Sequence, residues 1–140
     1  MRLALLADLH ANREAVDACL AKLRRLGFDR AVILGDIVGY GADPEWTVDT
    51  VQALVADGGL ALYGNHDEAV LRDAQNDTAS TKHPHAQAAI DWTRDRLNEN
   101  QRAFLTALPL SIEDEDRLYV HATAWAPQQW GYISNAWAAA

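Results

Sequence analysis

Apolar residues fall along this chain in short unbroken runs and in helical stripes, and the two alternate. Leu3 to Ala7 is a continuous apolar run, the mark of a strand buried on both faces as in a parallel sheet. Val16, Cys19, Leu20, Leu23 and Leu26 then recur at helical spacing, with Asn12 as the helix cap and Gly27 as the stop. Ala31 to Leu34 gives a second strand. Asp43-Pro44 opens a second helix, with Asp as cap and Pro in the first turn, and Val48, Val51 and Val55 form its buried stripe. Gly58-Gly59 closes that helix, and Leu60 to Tyr63 forms a third strand. The β-α-β-α-β order predicts parallel strands joined by right-handed crossovers.

From Asp73 to His85 the chain turns polar and predicts an exposed loop. A helix follows around Ala86, Ala89, Ile90, Thr93 and Leu97. Asn98 with Gln101 resembles a capping box opening another helix, whose Phe104, Leu105 and Leu108 face inward. Pro109 ends it. Leu110 to Ile112, an acidic turn at Glu113 to Asp116, and Leu118 to His121 then read as a hairpin.

At 140 residues the chain suits one domain. Its formal charge of -8 excludes nonspecific attraction to nucleic acid or anionic membrane, because the long-range field repels phosphate. Bound cations would reverse that field locally, so a phosphate ester remains an admissible substrate. Cys19 is the single cysteine, which rules out an internal disulfide, and its place in the apolar stripe predicts packing rather than reactivity. The N-terminal apolar run is interrupted by Asp8, too short for a signal peptide or a membrane span. The expected location is the cytoplasm.

Chemistry enters where the strands end. Asp8-Leu9-His10, Gly35-Asp36, Gly64-Asn65-His66-Asp67 and His121 each close an apolar run, and ligands in open α/β sheets gather at the carboxyl ends of strands. Asp8 and His10 are two apart, so extended backbone points both side chains the same way. The donors are carboxylate and amide oxygen and imidazole nitrogen, without thiolate. This mixed set suits Mn, Fe, Zn, Co or Ni better than a soft ion or an all-oxygen calcium cage. Asp36 is placed to bridge two divalent ions, since a carboxylate has an oxygen for each. Two such ions can bind phosphoryl oxygens and turn water into a nucleophile. Gly35 and Gly64 let the backbone turn sharply beside them. Asn65 and His66 are the substrate-binding candidates. His66 would face the phosphoryl group and protonate the leaving alkoxide, with Asp67 fixing its tautomer.

These blocks resemble the calcineurin-like metallophosphoesterase superfamily, whose pattern runs D-x-H, G-D, G-N-H-D/E, H, then G-H-x-H. The stretch from Gly35 to Pro44 and the later Ile90-Asp91-Trp92-Thr93 are similar to a bacterial and archaeal branch of small phosphodiesterase and diadenosine-tetraphosphatase-like proteins. The resemblance implies an α/β fold, the front half of a double β-sandwich flanked by helices, and hydrolysis of a small-molecule phosphoester. By it Asp8, His10 and Asp36 would bind the first metal, Mn foremost, and Asp36, Asn65 and His121 the second. His66 would be the proton donor, supported by Asp67.

Ala11 and Ala122 stand where the family has Gly, and no G-H-x-H block follows His121. The expectation is therefore a C-terminally incomplete domain over 1–140, which either keeps phosphoesterase chemistry or survives as a noncatalytic remnant binding metal or phosphate weakly. Such a half would leave apolar surface bare and self-associate. His83 and His85 flank Pro84 in the polar loop and read as solvated histidines. Trp125, Trp130, Tyr132 and Trp137 crowd the tail, where packing against whatever should follow is favoured over stacking on a nucleobase.

Overall fold

A computed structural model describes residues 1–72 and 84–135. The predicted alternation is present as β1 (Leu3–Leu6), α1 (Arg13–Leu26), β2 (Arg30–Ile33), α2 (Pro44–Ala56) and β3 (Leu60–Ala61). The three strands pair in parallel in the order β1-β2-β3, with Leu5 opposite Val32 and Val32 opposite Leu60. A helix α3 (Asn65–Leu71) follows β3 directly. Sequence periodicity missed it because it is seven residues long and begins inside the Gly-Asn-His-Asp block. Then come α4 (Pro84–Arg96), α5 (Glu99–Ala107), and an antiparallel hairpin of β4 (Ser111–Asp114) and β5 (Arg117–Val120). Pro84 and His85, expected in the polar loop, form the exposed start of α4, where Pro is tolerated in a first turn. His83 and the rest of that loop lie outside the described residues.

Each face of the parallel sheet has its own apolar cluster. Ile33 and Ala61 point to the helices, where Val16, Leu20, Val48, Val51, Ile90 and Leu105 close the main core. Val32 and Leu62 point the other way and pack on Tyr119 and Ile112 of the hairpin. This period-two division is what a strand in the middle of a layered fold requires. Arg30 reinforces the second layer. Its guanidinium donates to both oxygens of Asp114 at 2.9 and 3.0 Å, so β4 runs through Glu113 and Asp114, and the solvated turn expected over 113–116 contracts to Glu115 and Asp116.

Three expectations are corrected. β1 is not buried on both faces: Leu5 is 56% exposed, because β1 is the sheet edge and the hairpin cluster takes in Leu3 but not Leu5. Cys19 is exposed, and Leu26 with it. Both lie roughly 60–80° round the helix from Val16, outside the arc that Val16, Leu20 and Leu23 turn to the core. Asp43 occupies the cap position of α2 but makes no side-chain capping bond; Thr47 Oγ1 donates to its carbonyl instead. By contrast Asn12 caps α1, accepting from Ala15 N–H at 3.1 Å. The Asn98–Gln101 box closes in both directions, and Gln101 further donates to Asp49 Oδ1 at 2.8 Å, tying α5 to α2. Among the described residues no helix is long and apolar enough to cross a membrane.

Candidate metal centre

The loops after β1, β2, β3 and β5 converge at the carboxyl end of the parallel sheet. The first two are zipped together past the strands: Asp8 N–H donates to Gly35 O, His10 N–H to Asp36 O and Ala11 N–H to Ile37 O, all at 3.0–3.2 Å. The cost of that zipper is visible in the backbone. Asp8, His10, Ala11, Asp36 and Tyr40 all have φ between 47 and 59°, a left-handed region that non-glycine residues rarely occupy and that clusters at functional sites. Ala11, the first departure from the family pattern, is one of these residues and is fully buried.

Two histidines reach Asp36 from different loops. His10 Nδ1 lies 3.2 Å from the Val38 carbonyl, and His121 Nδ1 lies 2.7 Å from the Leu34 carbonyl. A carbonyl only accepts, so each Nδ1 carries the proton and each Nε2 presents a lone pair in the neutral ring. Those lone pairs face oxygens. His10 Nε2 is 3.7 Å from Asp36 Oδ2 and 3.9 Å from Asp8 Oδ1. His121 Nε2 is 3.5 Å from Asp36 Oδ1 and 3.1 Å from Asn65 Oδ1. Apart from the His66 N–H that donates to Asp36 Oδ1, the converging atoms are acceptors, a candidate cation site whose nitrogen–oxygen donor set suits a borderline divalent ion.

Asp36 is 3% exposed and belongs, among the described residues, to both three-residue groups whose donor atoms all come within 4.8 Å of one another, His10–Asp36–His66 and Asp8–Asp36–His121. The grouping differs from the expected partition, since His66 stands beside His10 where Asp8 was expected. The place of Asp36 in both groups is common to the two. Glycine at 35 and 64 is required by contact: a Cβ on Gly35 would sit 2.7 Å from His121 Nδ1, and one on Gly64 would strike the Asp36 backbone and carboxylate.

Asp67 acts otherwise than expected. Its fully buried carboxylate does not bond to the His66 ring; Oδ1 accepts from Ile37 and Val38 N–H at 2.9 and 3.0 Å, and Oδ2 from Gly64 N–H at 2.9 Å. It therefore clamps the loop after β2 to the start of α3, and supports His66 through the backbone. Burial pushes its carboxyl up to about 7, against the pull of the Val38, Gly64 and Ile37 amides and with the neighbouring Asp36 charge adding to the rise. His66 N–H donates to Asp36 Oδ1 at 2.9 Å, while the buried ring Nδ1 has no partner. Burial lowers the His66 pKa, Asp36 opposes that shift, and His10 and His121 add to it.

Residues 1–133 match the model of the calcineurin-like phosphoesterase superfamily domain. The chain belongs to this superfamily. An uncharacterized protein of Methanocaldococcus jannaschii, MJ0912, is 33% identical over 135 residues, which are 94% of this chain and 53% of that protein. The crystal structure of a metallophosphoesterase from Sphaerobacter thermophilus superposes with a TM-score of 0.78 at 34% identity, over 95% of this chain and 51% of the other. The hypothetical protein PH1004 from Pyrococcus horikoshii OT3 shares the fold, with a TM-score of 0.71 at 23% identity over 81% of this chain and 50% of the other. This phosphoesterase-superfamily chain thus spans about half the length of the relatives it matches.

The superfamily member's site also contains residues that the sequence did not assign to it. Tyr40, Trp130 and Tyr132 help to line a cavity of about 330 Å³ that holds Asp8, His10, Asp36, Asn65, His66 and His121. Trp130 does pack: its indole N–H donates to Glu68 Oε2 at 2.8 Å, and its ring meets His121 edge-on at 5.9 Å. Trp125 and Tyr132 are 67% and 88% exposed. Trp137 lies outside the described residues. Only an aromatic residue directly after a strand-end glycine loop, as in Gly39-Tyr40, could have signalled Tyr40 in advance.

Proposed function

We propose that this chain supplies a two-metal site for hydrolysis of a small-molecule phosphoester. Asp8, His10 and Asp36 would hold one divalent ion, and Asp36, Asn65 and His121 the other, Mn being the first choice ahead of Fe, Zn, Co or Ni. The single observation that supports this most is the lone-pair convergence on Asp36, with both imidazole Nδ1 protons already spent on backbone carbonyls. When bound, such a metal pair supplies a nucleophile from water at neutral pH and draws charge from the phosphoryl oxygens.

The protein's own residues do the rest. Val38 and Leu34 orient the two histidines, and Asp67 holds the loop that carries Val38. Asn65 orients substrate beside His121. His66 is packed between Tyr40 and His10, with ring centroids 4.6 and 4.9 Å away, in the same cavity and faces the leaving group, to which it delivers a proton.

The test is His66→Ala in Mn-loaded protein with an alkyl phosphodiester and bis(p-nitrophenyl) phosphate. We expect the metal content to be kept and turnover of the alkyl ester to fall roughly 10²–10⁴-fold, with a smaller loss for the activated ester. Equal losses on both esters would remove His66 as the leaving-group acid. A wild-type chain that holds metal and phosphate yet turns over neither ester would instead support a noncatalytic binding module.

A further inference from the structure

Tyr40 is shared between neighbouring cavities. Its ring meets His10 and His66, at centroid separations of 4.9 and 4.6 Å, inside the cavity of the candidate metal centre. Tyr40 also lines a second cleft, of about 410 Å³, with Gly41, Ala42, Ala88, Ala89 and Trp92. That volume is within the usual range for small-molecule pockets.

The second cleft has a distinct chemistry. Among the described residues its lining holds no carboxylate, amine, guanidinium or imidazole, and between the two rings it carries nothing larger than a methyl group. It has two aromatic rings that reach water, Tyr40 at 58% and Trp92 at 43% exposure. Trp92 is nonetheless held: the Arg96 guanidinium lies over its ring at 5.5 Å and is itself anchored to Glu45 Oε1 at 2.9 Å. A low floor between two aromatic walls fits a flat ring, which stacks on exposed aromatic faces and displaces their hydration. An aliphatic chain would leave the ring faces less well covered.

We propose that this cleft receives a flat aromatic group carried by the phosphoester, so that Tyr40 and Trp92 determine substrate specificity. The inference rests on the phosphoester reading above. The phosphate sits among the histidines on one side of Tyr40 and the ring sits beyond it, against Trp92. A ring bonded directly to the phosphate oxygen and a ring joined through a sugar share this chemistry and differ only in reach.

Calorimetry on Mn-loaded protein tests this with inorganic phosphate, phenyl phosphate and adenosine 5′-monophosphate, in wild type, Trp92→Ala and Ala88→Leu. The second variant fills the floor from an exposed position and so spares the fold. The readout is the ratio of each ester's affinity to that of inorganic phosphate. In wild type at least one aromatic ester binds about 10-fold tighter than inorganic phosphate, toward the low end of stacking on an aromatic side chain, and both variants bring that ratio to within about 2-fold. A gain for phenyl phosphate alone assigns a directly bonded ring, and a gain for the nucleotide alone assigns a ring on a spacer. Phosphate binding with no aromatic gain, or a gain that survives both variants, overturns the cleft and leaves the phosphoester reading standing. Absence of binding by all three probes overturns both.

Discussion

His121 Nε2 faces Asp36 Oδ1 across 3.5 Å with no proton available from either group in its neutral-histidine, ionised-aspartate form. His10 approaches the other oxygen of the same carboxylate at 3.7 Å. Asp36 is thus the only residue common to both donor groups. Asp36→Ala should abolish tight binding of Mn or Zn at both positions, whereas His10→Ala should weaken one of them. Loss of a direct ligand costs at least the roughly 10–100-fold in affinity typical of losing outer-shell support alone. Calorimetric titration decides it, and unchanged stoichiometry in Asp36→Ala would remove the bridge.

Tyr63 gives a pH signature that needs no metal. Burial, then the Glu68 and Asp67 carboxylates, push its phenol up to about 12. A pKa raised in the folded state means the fold holds the proton more tightly than the unfolded chain. The contribution is therefore fully present below pH 10, the ordinary value, and is lost as the pH rises through about 12. Absorbance titration at the phenolate band should show one late-titrating tyrosine that disappears in Tyr63→Phe. A late step that persists in that variant would assign it to another residue.

Sequence alone reached the parallel sheet because each of its strands is an unbroken apolar run closed by a polar functional residue. It brought the candidate residues Asp8, His10, Asp36, Asn65, His66 and His121 to one place for the same reason, since strand ends in such folds share one edge. What it could not reach was set by neighbours far away in the chain. Leu5 is bare because β1 is an edge and the hairpin covers Leu3 alone, a matter of sheet order. Asp67 turned from a partner of His66 into a clamp because three amides from two loops surround it, and no spacing announces that. Asp114 left its turn because Arg30, 84 residues away, claims both its oxygens.

Leu5 carries a prediction about association. It stands on an edge strand, 56% exposed, on the face that the hairpin leaves open beside Leu3. Unpaired backbone groups along such an edge, next to an apolar side chain, template pairing with another copy. The 140-residue chain should form dimers or larger species in light scattering as concentration rises, and Leu5→Lys should shift it toward monomer. A wild-type monomer across the same range would show that this edge is inert.

Asp67 offers the sharpest separation between fold and chemistry. Its carboxylate accepts three backbone N–H groups, two on one oxygen and one on the other, at a position fully shielded from water. In Asp67→Asn one oxygen remains for Ile37 and Val38, but the amide NH₂ is left to face Gly64 N–H, donor against donor. One buried donor unsatisfied costs about 1–3 kcal/mol, and Asp67→Ala, which strips all three, should cost more. Urea unfolding of metal-free protein should rank wild type above Asn above Ala. Because Asp67 holds the loop that orients His10 through Val38, Mn affinity should fall in the same order, although neither variant removes a ligand. If Asp67→Ala matches wild type in stability and loses only turnover, the carboxylate acts on His66 after all, and its bonds to the backbone are incidental.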